Sequence, residues 1–260
     1  MEKNINRIII FNKMNIIIKN DNFYISQDQS DNQTFTIFFD SYNEALIKSL
    51  LKTRIILGAT TTEKYRSLTF KATSVLTFFD FQKDLERENK SLKLTYNLAL
   101  KMTHNLVTQL NYLITQFSKT FLGFSLKNLI IIDKSKFVYL CDEFLLDIIK
   151  NGENGENGEN GEKLLIKSPF TRDDFFFSPE LLSVKEIPSF VNYKVSYFSL
   201  GYLILYTLLG HDMESDSEDL PEKDKISHQM KTLIIKNTKL YWLLERCLVE
   251  EPKNRSILFI

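Results

Sequence analysis

YKVSYFSLGYLILYTLLG, residues 193–210, holds no charged side chain between Val195 and Leu209. Wound at 3.6 residues per turn, its apolar side chains point in every direction. Such a segment has no face to give to water, so the spacing predicts a buried central helix. The fifteen residues from Val195 to Leu209 are too few to cross a bilayer, which takes roughly 20. Gly210 supplies the stop signal just past the helix end. Taken alone, the stretch could be the core helix of any large globular domain, and its flanks decide which.

The 260 residues suffice for one large domain or two small lobes, and 43% are hydrophobic, enough for a sizeable core. Lys plus Arg and Asp plus Glu are 33 each. That balance speaks against nucleic acid or a membrane surface as partner. Cys141 and Cys247 sit in apolar surroundings and read as buried thiols of a reducing compartment, not as a disulfide framework or metal site. MEKNINRIIIFNKMN at the N-terminus has too short an apolar run for a secretory leader. An intracellular, cytoplasmic protein is the expectation. His104, His211 and His228 lie far apart and show no metal-ligand spacing.

Working toward the N-terminus, RIIIF (7–11), NIIIK (15–19), FYIS (23–26) and TFTIFF (34–39) read as strands. Asn20-Asp21-Asn22 is a turn. Ser41 with Glu44 forms a capping box for a helix over 42–52. RIILGA (54–59) and LTFKATSVLTFFDF (68–81) read as further strands, and the charged run 82–93 marks a change of region. From Leu94 to Phe117 apolar residues recur at i+3 or i+4, which predicts a helix of about six turns. LIIID (129–133) and FVYLC (137–141) follow as short strands. NGENGENGENGE (151–162) is a tandem repeat without an apolar residue and reads as a disordered, dispensable surface insert. Beyond the central helix and the acidic loop 211–225, helices are predicted near 226–236 and 239–249.

The whole layout resembles a protein kinase: a small sheet with one helix, a connector, then a helical region on a buried helix. Ser178-Pro179-Glu180 resembles the A-P-E motif that ends the kinase activation segment. VSYFSLG (195–201) is similar to the D-x-W-S-L-G start of the kinase central helix, with Phe198 at the Trp position. EEPKNR (250–255) resembles the D-P-x-x-R ending. The resemblance implies an ion pair between Glu180 and Arg255, and an α+β, two-lobed fold. Residues 1–81 would form the small antiparallel sheet with one helix, and 82–260 the larger helical lobe. The activation segment would be 142–180. The order of segments looks most like kinase-like proteins of large DNA viruses that infect protists, which would place the chain in the host cytoplasm.

Phosphoryl transfer needs a phosphate cover, a strand lysine, a base and metal ligands, and this sequence can be checked for each. No glycine precedes Gly58, so a glycine-rich loop is missing. TFTIFF contains no lysine. Lys19 imitates the strand-lysine motif one hairpin too early and otherwise ends a solvated strand; Glu44, the would-be partner of that lysine, reads as a capping residue. Gly123-Phe124-Ser125 stands at H-R-D, so Ser125 occupies the position of the catalytic Asp. A hydroxyl is a poor base there, and losing such a group costs about 10² to 10⁴ in rate. Lys127 and Asn128 are candidates for phosphate and metal contact, Asn128 only if the loop is shortened; its other reading is a turn or cap. Asp142 matches the metal-binding Asp of D-F-G and could hold one Mg²⁺, or is a loop end without ligand. Ser196 stands where the family has an Asp that braces the catalytic loop.

The structural motifs are kept and the chemical ones are lost, so the expectation is a pseudokinase that binds other proteins, with no catalytic residue and no cofactor. ATP with Mg²⁺ belongs to a second expectation, an atypical active kinase that uses Lys127 and Asp142. A third is a structural or virion-associated protein whose cleft is filled, with FFDF (78–81) at the hinge as the filling.

Overall fold

The structure is a computed structural model and describes residues 15–62, 66–150, 162–170, 175–210 and 222–258. The expected strand at 7–11, the repeat apart from Glu162, His211 and residues 211–221 of the acidic loop lie outside the described residues.

The N-terminal part is a five-stranded antiparallel sheet of β1 (Asn15–Lys19), β2 (Phe23–Gln27), β3 (Thr34–Phe39), β4 (Thr60–Thr61) and β5 (Ser67–Lys71), in the order β1-β2-β3-β5-β4. Period-two alternation places Phe35, Ile37 and Phe39 of β3 in the core while Thr34, Thr36 and Phe38 face the other way. Helix α1 (Glu44–Lys52) follows β3 and buries Ala45, Leu46, Ile47 and Leu50. Its N-cap is Asn43, whose Oδ1 accepts from Leu46 N at 3.0 Å, so the Ser41–Glu44 capping box does not form. Glu44 instead bonds Lys48 and the Tyr42 hydroxyl.

Two strand expectations fail for local reasons. Residues 54–59 form turns, because Arg54 and Gly58 both take positive φ (57° and 67°), which breaks an extended run. Ile55 and Ile56 are buried all the same, as turn residues. The stretch 68–81 divides into β5, β6 (Val75–Thr77) and the start of helix α2 (Phe78–Asn89). Thr77 caps that helix by accepting from Asp80 N and donates its hydroxyl to Asp80 Oδ2 at 2.7 Å. A Thr three residues before an Asp thus overrides the strand propensity of the phenylalanines. The charged run read as a connector is largely this helix, and the 81/82 boundary falls inside it.

Helix α3 (Tyr96–Phe117) starts at its Thr95 cap, and Leu94 lies outside it. The strands β7 (Lys119–Phe121), β8 (Leu129–Ile132), β9 (Lys136–Tyr139) and β10 (Leu145–Asp147) follow. β8 pairs with both β6 and β9, and β7 with β10. A further sheet joins β11 (Ile149–Lys150), β12 (Glu162–Ile166) and β13 (Ser189–Asn192). Short α4 (Pro179–Leu182) leads into the central helix α5 (Val195–Leu209), then α6 (Glu222–Thr232) and α7 (Lys239–Cys247). α5 buries residues all round, from Val195 to Thr207, and ends at Gly210, whose φ of 64° suits glycine. α5 packs on α7 and α3. Leu94 N donates to Thr207 O, which ties the entry to α3 to the end of α5. One continuous cluster of buried side chains runs from Phe23 to Ile257. No described helix is long and apolar enough to cross a membrane.

Candidate functional site

The segment between β7 and β8 carries the residues at the catalytic-loop position. It is built from the inside by aromatic rings. Tyr139, fully buried on β9, accepts from Ser125 N at 3.0 Å and donates to Gly123 O at 3.1 Å. Its ring packs on Phe121 and Phe124. Burial pushes the Tyr139 phenol well above its ordinary range, so it stays a neutral strut. Gln109 of α3 holds the same residue's backbone from both sides, accepting from Tyr139 N and donating to Tyr139 O. Phe124 N donates to Ser199 Oγ of α5 at 2.7 Å. Ser196, at the family's bracing position, bonds Tyr193 O within its own helix start. The brace therefore comes from Ser199, one turn further along the same helix.

Ser125 is 1% exposed. Its Oγ accepts from Lys127 N and caps the 3₁₀ turn Leu126–Asn128. The hydroxyl is committed to its own backbone and sealed from any substrate. Gly123, at the His position, is needed for close approach: a Cβ there would meet the Phe177 ring at 2.5 Å. Phe177 belongs to a group with Phe144, Phe170 and Phe175, in edge-on and stacked contact.

Asn128 and Asp142, the two candidates for metal contact, are both bonded to side chains of the N-terminal sheet region. Asn20, at the tip of the β1–β2 turn, donates to Asn128 Oδ1 at 2.9 Å and to Lys127 O at 3.1 Å. Ser41, between β3 and α1, donates to Asp142 Oδ2 at 2.6 Å. The turn that would arch over phosphates thus rests on the loop beneath it. Lys19 is exposed at the end of β1, and Lys127 is exposed on the 3₁₀ turn. Among the described residues no group of three His, Cys, Asp or Glu comes together as a metal site. Asn128 Oδ1 and Asp142 Oδ2 are thus turned to protein donors, and among the described residues no lysine of the N-terminal sheet bonds either of them. Cys141 beside Asp142 is buried, and burial pushes its thiol up to about 12, as it does for Cys247. Both are inert thiols.

Glu180 and Arg255 form a two-pronged ion pair, Nη1 to Oε1 and Nη2 to Oε2 (the latter 3.0 Å). Arg255 is 0% exposed and also donates to the carbonyls of Val249, Glu250 and Lys194. Its guanidinium lies 4.9 Å from the centre of the Phe198 ring. Sequence reasoning did not find Asn20, Ser41, Tyr139, Phe177 or Ser199. Asn20 read as part of a turn, Ser41 as a helix cap and Ser199 as part of the S-L-G motif; none of those signals pointed to a contact across the cleft or to the loop.

No protein-family profile matches the chain, and no curated protein matches it. Among solved structures it is similar to ROP2 from Toxoplasma gondii, described as a virulence factor with a protein-kinase fold and no enzymatic activity. The TM-score is 0.52 at 13% identity, covering 93% of this chain and 75% of that one. With the N-terminal antiparallel sheet and the helical C-terminal region, this likeness shows the fold, which is that of a protein kinase.

Proposed function

We propose that the chain is a pseudokinase: a kinase fold without phosphoryl transfer that acts by binding other proteins. One observation carries the reading. Asn128 and Asp142, where the fold would present oxygens to metal and phosphate, accept hydrogen bonds from Asn20 and Ser41 of the opposite side of the cleft. The buried Ser125 at the base position agrees with it, because a group sealed from substrate cannot take its proton. The described lack of enzymatic activity in ROP2 is support of the same direction. Within this reading the cleft is closed by polar contacts across it. The FFDF stretch contributes from behind: Phe78 and Phe81 are buried in α2, and Phe81 packs edge-on against Phe137. An origin among viruses of protists, with residence in host cytoplasm, is part of the proposal and rests on the order of the sequence motifs.

A thermal-shift titration with ATP and with ADP, each with and without Mg²⁺, tests it. A ligand at 100 times its Kd stabilises by about 2.7 kcal/mol, so binding is easily seen. The expected result is no shift. A Mg²⁺-dependent rise that vanishes in Asp142→Ala, with phosphate transfer to a protein substrate, would overturn the proposal in favour of an atypical active kinase.

A further inference from the structure

We propose that a basic hollow on the far side of α3 is a binding site for a small polyanion carrying two or more phosphoryl groups. The hollow, about 460 Å³, lies where α3, the β8–β9 turn and the start of α7 meet. It shares no residue with the cleft described above. Lys101, His104 and Asn105 come from α3, at i, i+3 and i+4, which places them on one face of the helix. Ser135 and Lys136 come from the turn, and Lys239 opens α7, where the helix N-terminus adds partial positive charge.

No carboxylate lines this space. Lys136 is neutralised by Asp133 at 2.9 Å, but Lys101 and Lys239 have no ion-pair partner among the described residues. On a chain with 33 charges of each sign, a hollow lined by no carboxylate and holding two ammonium groups without an ion-pair partner is a local excess of positive potential. Asn105 adds to it. Its Oδ1 is taken by Phe137 N at 3.0 Å, so the atom it can offer a ligand is the donor Nδ2. The side chains therefore offer mainly donors, which suits phosphoryl oxygens. The hollow is shallow and open, and its volume exceeds the needs of one phosphate. An acidic peptide fits less well, because peptide grooves take apolar side chains and Leu100 is the one apolar residue of the lining.

The test uses the full chain at fixed ionic strength, without Mg²⁺, with pyrophosphate and inositol hexakisphosphate as probes in calorimetry and thermal shift. Binding of at least one probe is expected, weakened about tenfold or more in Lys101→Glu/Lys239→Glu. Both lysines are exposed, so the variant should melt like the wild type without ligand. Lys225→Glu/Lys231→Glu, at a separate site on α6, serves as charge control and should bind normally. No binding of either probe at millimolar concentration overturns the proposal. So does an equal loss in the control variant, and so does binding of an acidic peptide alone. None of these outcomes bears on nucleotide binding in the cleft, so this inference and the pseudokinase reading fail separately.

Discussion

Replacing Glu180 by Ala leaves the Arg255 guanidinium fully buried with its counter-charge removed. Breaking a buried pair in this way costs about 3–5 kcal/mol. The geometry sets where each variant falls. Glu180 is 24% exposed, and Arg255 keeps three backbone carbonyls as acceptors after the carboxylate is gone, so Glu180→Ala belongs near the lower end. Arg255→Ala loses the carboxylate contacts, those three carbonyl bonds and the Phe198 face together, and belongs at the upper end or beyond. For a chain of this size each kcal/mol moves Tm by about 2–4 °C, so the two variants should melt about 6–20 °C lower. Urea unfolding of both single variants and the double variant gives the coupling, expected to be well above the roughly 0.5 kcal/mol seen for independent sites. The reasoning is refuted if both single variants lie within about 1 kcal/mol of the wild type, or if their effects simply add.

Gly123→Ala should destabilise by about 1–3 kcal/mol, because Phe177 is hemmed in by Phe144, Phe170 and Phe175 and cannot step aside from the new Cβ. Phe177→Leu in the same chain should return part of that loss, and a Gly123→Ala variant of wild-type stability would contradict the packing. Asp133 gives a pH-dependent prediction. Burial alone would raise its carboxyl, but the Lys136 ammonium and the N–H and hydroxyl of Thr73 outweigh it and hold the group below the usual carboxylate range. A depressed pKa contributes stability above the unfolded value of about 3.9, lost as pH falls through the folded value. The stability difference between wild type and Asp133→Asn should therefore be full near pH 7 and shrink as the pH is taken below about 3.9. Urea midpoints that differ equally at both ends would refute it. Asn tolerates the positive φ of this position, so the substitution brings no strain of its own.

The central helix was legible because a run with no polar face has one place to go. The motifs around it fixed the order of the elements for the same reason, each being a local pattern. Legibility ended where a local signal competed with another local signal, or where the partner was distant. At Thr77-Phe78-Phe79-Asp80 a cap outweighed aromatic strand propensity. At 54–59 two left-handed residues interrupted a β-branched run. Asn20 reaches Lys127 and Asn128 across 107 and 108 residues, and Ser41 reaches Asp142 across 101. Those contacts exist only once the two sides of the cleft have docked, and no spacing rule encodes them. The exchange of Ser196 for Ser199 as brace is a matter of one helical turn, visible only when the loop's position against α5 is known.

β6 has a mechanical consequence. It belongs to the link between the two sides of the cleft, yet it is zipped to β8, and Asp133 grips Thr73 just ahead of it. That pins the rear of the cleft, while Asn20 and Ser41 pin its front. Three hydrogen bonds hold that front, each worth about 0.5–1.5 kcal/mol net, and α1 also packs on α3. Losing these three bonds alone would cost about 1.5–4.5 kcal/mol, before any of the apolar packing is disturbed. A protein that needed the cleft open would meet an affinity lowered by that cost. One that straddled the shut lips would find its surface ready-made. If the chain binds other proteins as proposed, such a latch would sort them by the posture they require before any of their side chains is compared.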